Sequence, residues 1–350
     1  MCELLGLSFN RPVTPKISFT GFRERGKHNP HGWGLAWYPD ESAQVIKENG
    51  PAAESMLSQF LGEYRGLESS IFIGHVRIST GTSHVHRNTH PFFREMDGKE
   101  YVFAHNGNVE SIKNLQVRRF RPLGDTDSEH SFCHLLAQME TQGLGARNSG
   151  EWTREDFSKL SSILQGINAH GKFNCLLSDG RFLFSYYDYR SRGSLYFTHR
   201  KPPYGPVQLL DKDWTVDLAE EKDPAQSGFI VATEKLTNEE WEKFSAGELI
   251  VFHGGKMVFS SSRDISLFSS LSALQLRILK ILRESPNRMR LGEIQSQVSS
   301  PAEILQENIR LLLEEGFIQQ DGRDSVNWDH PTATYYTLRG ETGGDRLPPA

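Results

Sequence analysis

Between Glu3 and Phe259 the chain is cut into many short apolar runs by polar, glycine-rich loops, a rhythm that fits β-sheets and leaves room for few helices. Candidate strands are Glu3 to Phe9, Gly34 to Tyr38, Ile71 to Arg77, Tyr101 to His105, Phe173 to Ser178, Phe182 to Tyr187, Ser194 to Thr198, Gly228 to Thr233 and Leu249 to Phe252. Two helices are expected, Ser128 to Gln142 and Arg154 to Asn168. The first spaces Phe132, Leu135, Leu136 and Met139 along one face, with Asp125 or Thr126 as its N-cap. Sheets of this extent need helices to cover them, so the pattern predicts a layered α+β domain.

The pattern changes after Phe259. Residues 260–270 read as a linker. Beyond it, Leu271 to Glu284, Leu291 to Val298 and Pro301 to Glu315 read as helices, the last with Pro at its first position. Two short strands follow, at Gln319–Gly322 and Thr334–Leu338. The expected organisation is a large domain over 2–259, a small winged-helix-like domain over 271–339, and a loose tail over 340–350.

At 350 residues, 37% hydrophobic and 24% charged, the chain is long enough for one large and one small domain. No run of about 18 apolar residues could cross a bilayer, and the N-terminus lacks a basic-then-apolar secretion pattern, so a cytoplasmic location without membrane contact is expected. The net charge of -5 argues against a broad nucleic-acid-binding surface. The three cysteines, Cys2, Cys133 and Cys175, form neither a disulfide framework nor a CxxC zinc pattern. Cys133 and Cys175 sit in apolar surroundings and read as core.

Cys2 is different. Methionine aminopeptidase cuts before small side chains, and removal of Met1 leaves a thiol and a free α-amine on one residue. An α-amine titrates at about 7.7 to 8.0 and a thiol at about 8.5, so the first can take the proton of the second near neutrality. One residue then supplies nucleophile and base. Four further segments put small or polar residues beside strand ends: Gly74–Gly81, Asn88–Phe92, Phe103–Asn108 and Gly124–Glu129.

Together, in this order behind an N-terminal cysteine, these segments resemble the class II (N-terminal nucleophile) glutamine amidotransferases. Within them they resemble the stand-alone YafJ-like branch, through CELLGLS, HGWG, NTHPF, FAHNG, RPLGDTDSE and FNCLLSDGR. The resemblance covers residues 2–259 and implies a four-layer αββα sandwich with its site at one end of the paired sheets. It implies that Cys2 attacks the side-chain amide of glutamine or a γ-glutamyl small molecule, forming a thioester and releasing ammonia or an amine. By the same resemblance Arg77 binds the substrate α-carboxylate and Asp127 its α-ammonium. Asn106 and the Gly107 N–H form the oxyanion hole, Thr80 and His90 line the substrate pocket, and Trp33 is a weaker candidate. No cofactor is called for.

Ile78, Ser79, Thr80 and Gly81 depart from the aromatic residue and Thr-His-Gly of the biosynthetic members. About 90 residues remain after Phe259, too few for a domain that would consume ammonia. Hydrolysis is therefore the expected activity, alone or as a subunit of a separate complex; related members degrade glutathione or remove γ-glutamyl groups from biosynthetic intermediates. The histidines at 28, 31, 84, 86, 90 and 105 raise a zinc site as a competing reading, but no HExxH arrangement accompanies them, and His90 and His105 belong to the motifs above. The alternative function is a metabolite-sensing regulator that binds DNA through its winged helix. Charge opposes it: residues 265–339 carry eight basic against nine acidic residues, and the third helix has four glutamates and one arginine. A partner subunit or a second copy of the chain is the expected contact of 271–339, and nucleic acid is not.

Overall fold

The computed structural model describes residues 2–79, 81–145, 152–265, 271–285, 288–314, 317–321 and 335–338. Along the chain run β1 (Glu3–Val13), α1 (Lys16–Glu24), β2 (Trp33–Trp37), β3 (Gln44–Glu48), α2 (Met56–Glu63), β4 (Ser69–Val76), β5 (Phe92–Met96) and β6 (Lys99–Val109). Next come α3 (Asp127–Gln142), α4 (Arg154–Asn168), β7 (Gly171–Ser178), β8 (Phe182–Tyr186), β9 (Tyr196–Arg200), β10 (Pro206–Gln208) and β11 (Thr215–Asp217). The large region closes with α5 (Leu218–Glu221), β12 (Gly228–Ala232), β13 (Glu242–Lys243), β14 (Leu249–His253) and β15 (Lys256–Ser260).

Seven strands in the order β13-β9-β12-β1-β4-β2-β3 form one antiparallel sheet, and six in the order β15-β14-β8-β7-β6-β5 form a second. Side chains alternate between the faces of a strand, and β1 shows how the layers follow. Leu5, Leu7 and Phe9 meet Phe19 and Phe22 of α1 and Leu61 of α2, while Leu4 turns inward with Ile71 and Ile73 to meet Val102, Leu176 and Leu183 of the second sheet. Gly6 lies on that inner face, where a Cβ would stand 3.0 Å from the Leu183 side chain, so a larger residue would hold the sheets apart. Helices α3 and α4 cover the far side of the second sheet through Phe132, Leu136, Leu160 and Leu164 against Phe103, Leu177 and Phe184. The result is the αββα stack expected from the sequence. Each fully buried side chain of this kind contributes roughly 1.5–3 kcal/mol.

Of the two expected caps for α3 the structure uses Thr126, whose hydroxyl accepts from the Glu129 N–H at 3.1 Å. Helix α4 begins with a reciprocal pair between Thr153 and Asp156. Several elements were not anticipated. Helices α1 and α2 span 9 and 8 residues and carry Gly21 and Gly62, too short and too mixed to show a helical period. Strands β3, β5 and β15 are ladder partners whose polar residues hide the period-2 signal. Strand β6 runs four residues past His105, because Asn106, Gly107, Asn108 and Val109 stay in register with Asn174, Phe173, Lys172 and Gly171. The Asn106-Gly107 pair therefore lies inside a ladder.

Beyond β15 come α6 (Ala273–Glu284), β16 (Met289–Arg290), α7 (Leu291–Gln295), α8 (Ala302–Glu314), β17 (Ile318–Asp321) and β18 (Tyr335–Leu338). The three strands form a sheet in the order β16-β18-β17. This region has its own apolar cluster, with Ile278, Ile281, Ile294, Leu305, Ile309 and Leu312 at its centre. It touches the large sandwich where Leu271 O meets His199 Nδ1 at 2.9 Å and where Ser299 N donates to Glu240 Oε1 at 2.6 Å. Part of the expected linker, 266–270, and the tail at 340–350 lie outside the described residues. No described helix is long and apolar enough to cross a membrane.

Phe103 stacks on Phe132 at 5.0 Å and links the second sheet to α3. Phe103→Ala is expected to lower stability by about 3–5 kcal/mol, read as a lower urea midpoint by circular dichroism.

Candidate functional site

Strand β1 pairs with β4 from Glu3↔Val76 onward, so the residue before β1 meets the residues after β4. Cys2 Sγ accepts a hydrogen bond from the Ile78 N–H at 3.3 Å and lies 3.2 Å from the Ile78 carbonyl. Burial pushes the thiol pKa up, while the Ile78 N–H and the Arg77 guanidinium act in the opposite direction. From the second sheet, Asn106 Nδ2 donates to the Cys2 carbonyl at 2.5 Å. Asn106 is held in turn by Asn174, whose Nδ2 donates to its carbonyl at 3.0 Å. At Gly107 a Cβ would come 2.0 Å from the Lys172 carbonyl, so glycine is required for β6 to pass β7 here.

Arg77 is 3% exposed; its guanidinium donates to the His31 carbonyl at 3.2 Å and to Thr82 Oγ1 at 2.6 Å. Burial lowers its pKa, and the neighbouring Cys2 and Asp127 oppose that shift. Asp127 opens α3, and its Oδ2 accepts from the Val109 N–H at 2.6 Å, which ties the helix start to the end of β6. A thiol, an amide donor, a buried guanidinium and a carboxylate from four separate segments thus converge at one end of the paired sheets. The family model of the class II glutamine amidotransferases matches residues 1–273.

The chain belongs to this family. An uncharacterized protein of Methanocaldococcus jannaschii is 43% identical over 344 residues, covering 96% of this chain and 93% of the relative. The putative glutamine amidotransferase YafJ of Escherichia coli is 36% identical over 262 residues, 74% of this chain and 100% of its own length. Among solved structures, a predicted glutamine amidotransferase from Pseudomonas aeruginosa is similar at 29% identity with a TM-score of 0.54, over 74% of this chain and all of that one.

The amidotransferase region also carries features that the motifs did not announce. Glu3, next to Cys2, is fixed by Arg25 Nη1 at 3.1 Å and by the Thr233 hydroxyl. Arg25 is 8% exposed and also donates to Asp211 at 2.8 Å and to the carbonyls of Glu234 and Lys235. The Ile78 peptide group was equally unforeseen, since a backbone contact leaves no mark on residue type. Thr80 lies outside the described residues. Trp33 is fully buried and donates to Glu48 at 3.0 Å, a place in the core. Among the described residues no group of three or more His, Cys, Asp or Glu side chains could hold a metal ion. His31 and His84 stack on each other at 3.8 Å at the edge of the site.

His90 is 3% exposed, stacked on His75 at 4.1 Å and tilted against Phe92 at 4.5 Å. Neither of its ring nitrogens has a hydrogen-bond partner among the described residues. His75 Nε2 contacts the His105 carbonyl at 3.2 Å, and His105 Nδ1 contacts Ser128 Oγ at 2.9 Å. Burial lowers the pKa of all three rings, that of His75 to about 3. The unfolded chain protonates these rings below about 6.5, whereas the folded chain keeps His75 and His90 neutral well below that pH. Their contribution to stability is therefore complete above about 6.5 and falls with acidification, by about 1.4 kcal/mol per pH unit for each of the two. Urea midpoints are expected to drop steeply between pH 6.5 and 4.5, and His90→Phe should make that drop shallower; an equal slope in the variant would contradict the assignment.

Proposed function

We propose that this chain is a hydrolase of glutamine or a γ-glutamyl compound that uses Cys2 as its nucleophile. The observation that carries the reading is the setting of Cys2, whose thiol accepts from the Ile78 N–H beside Arg77 and whose carbonyl accepts from Asn106 of the second sheet. With Met1 removed, the α-amine takes the thiol proton as sulfur attacks the γ-carbonyl carbon. Negative charge developing on the carbonyl oxygen is received by the Asn106 amide and the Gly107 N–H, a task for which one donor contributes about 2.7–4 kcal/mol. Collapse of that intermediate breaks the C–N bond, and the leaving amine takes the proton held by the α-ammonium. Water, deprotonated by the same α-amine, then attacks the thioester carbon and releases glutamate.

Arg77 pairs with the substrate α-carboxylate and Asp127 with its α-ammonium, so a substrate lacking either group leaves a partly buried charge without its partner. Thr80 and His90 complete the pocket in this reading, His90 as a neutral ring packed behind it. The segment 271–339 is read as a winged-helix-like module for contact with a partner subunit or a second copy. The order of its elements supports the architecture, and α8 supports the choice of partner. The single arginine of that helix, Arg310, is engaged by Glu307 at 2.8 Å and by Glu314 at 2.5 Å, which leaves little positive charge for phosphates.

Cys2→Ala is expected to abolish glutamate release with an unchanged circular dichroism spectrum; full activity in that variant would refute the mechanism. Arg77→Ala should raise KM for a γ-glutamyl substrate by roughly 100-fold or more, with a smaller loss in kcat, because it removes binding used in ground and transition state alike. Steady-state glutamate release measures both, after mass spectrometry has shown that Met1 is absent.

A further inference from the structure

In the stretch His31-Gly32-Trp33-Gly34, Trp33 belongs to the core, and at Gly34 a Cβ would meet the His90 carbonyl. Gly32 has a φ of +133°, and a Cβ there would come 3.0 Å from the Thr89 side chain. Both His31 and Gly32 bond Arg77 through the backbone. The Arg77 N–H donates to the Gly32 carbonyl at 2.8 Å, and the His31 N–H donates to the Arg77 carbonyl at 2.9 Å. Two residues thus stand against one, as at a β-bulge, a distortion that re-aims side chains. The His31 ring reaches the chain that leaves β4, where its Nδ1 accepts from the Ser79 N–H at 2.9 Å.

Four hydrogen bonds close a ring around that segment. The Arg77 guanidinium donates to the His31 carbonyl at 3.2 Å and to Thr82 Oγ1 at 2.6 Å. The Thr82 N–H donates to Ser79 Oγ at 3.1 Å, and the Ser79 N–H returns to His31 Nδ1. Ile78 lies between the two anchored residues, Arg77 and Ser79, and its own N–H goes to Cys2 Sγ at 3.3 Å. The contacts of Arg77 with residues 31 and 32 use their backbone atoms, which any residue at position 31 retains. The bond to Ser79 needs an acceptor at the place of Nδ1.

A ring nitrogen accepts an N–H only while it is unprotonated. Burial lowers the His31 pKa, with His84 and Arg77 acting in the same direction, so the neutral ring is the form present near neutrality. His84 stacks on it at 3.8 Å and is tied in turn by its carbonyl to Asn49 Nδ2 at 3.0 Å. The ring is therefore held by Ser79 at Nδ1 and by His84 across its face. We propose that the His31 ring is a positioning residue: by holding the Ser79 N–H it sets the Ile78 N–H on the Cys2 thiol. With Cys2 as nucleophile, as in the hydrolase reading on which this rests, that N–H serves the sulfur as it gives up its proton. A hydrogen bond to an ionised acceptor is roughly twice as strong as one to a neutral acceptor.

Two amide variants separate the ring's acceptor from its bulk. His31→Asn places an amide oxygen where Nδ1 stands, whereas His31→Gln places one where Nε2 stands, away from Ser79. In full-length protein lacking Met1, His31→Gln is expected to lower kcat for glutamate release by about 10- to 100-fold, with KM changed by less than about threefold because Arg77 keeps its backbone partners. His31→Asn should stay within about threefold of the wild-type kcat. Alkylation of Cys2 by iodoacetamide at about pH 8, located by mass spectrometry, reads the thiol without turnover and should slow by about 10-fold in His31→Gln alone. His31→Leu takes the place of His31→Gln should the latter not fold. Wild-type kcat and alkylation rates in the variant without the acceptor, or equal losses in it and in His31→Asn, would overturn the proposal while hydrolysis itself stands. If no γ-glutamyl compound releases glutamate and alkylation still separates the variants as expected, the hydrolase reading falls and the positioning of the thiol by His31 is supported.

Discussion

Strand β1 lies between β12 and β4 near the middle of its sheet, and its pairing Glu3↔Val76 brings Cys2 alongside Arg77 and Ile78. A shift of this register by one residue would turn Leu5, Leu7 and Phe9 from the helical layer into the space between the sheets. It would also carry the thiol away from the Ile78 peptide group. The apolar alternation that packs β1 on both faces is therefore the same constraint that locates Cys2. The salt bridge from Arg25 to Glu3 and the Thr233 contacts fix the start of the strand from the β12 side. Without them the first residues would have little to oppose fraying.

The second sheet contributes through a different physical device. Its Asn106-Gly107-Asn108 stretch is polar, yet it stays in register with β7, and Gly107 removes the clash with Lys172 O. Donors held in this way are oriented in advance, which is what the oxyanion role proposed for them requires. The cost lies behind them, in a buried layer of His75, His90 and His105 that stays neutral because ionisation in the interior is too expensive. The candidate site and the acid sensitivity expected of the fold thus have a common origin in polar groups placed between or beside packed sheets.

The region beyond Ser260 packs around its own apolar cluster and meets the sandwich at β9 and near Glu240. The alignment with the archaeal relative extends through nearly the whole chain, while YafJ ends within the 262 residues it shares. The C-terminal segment is therefore an addition to the amidotransferase fold that is shared with that archaeal relative. Its paired charges on α8 leave little positive charge for phosphate.

The sequence alone determined the family, because Cys2, the arginine after an apolar strand, the His-Asn-Gly stretch and the Gly-Asp-Thr-Asp cap are chemical choices that side-chain identity and order record. It also determined α3, α4 and the central strands, whose periods are long and clean. It missed α1, α2, β3, β5 and β15, since short or mixed segments take their form from the layer they pack against. The places of Ile78 and Arg25 were equally invisible. A backbone N–H is carried by every residue but proline, and Arg25 acts through a contact across 22 positions of sequence. Only the tertiary structure brings such groups together, because the pairing of strands, and not the proximity of residues along the chain, sets which side chains share a face.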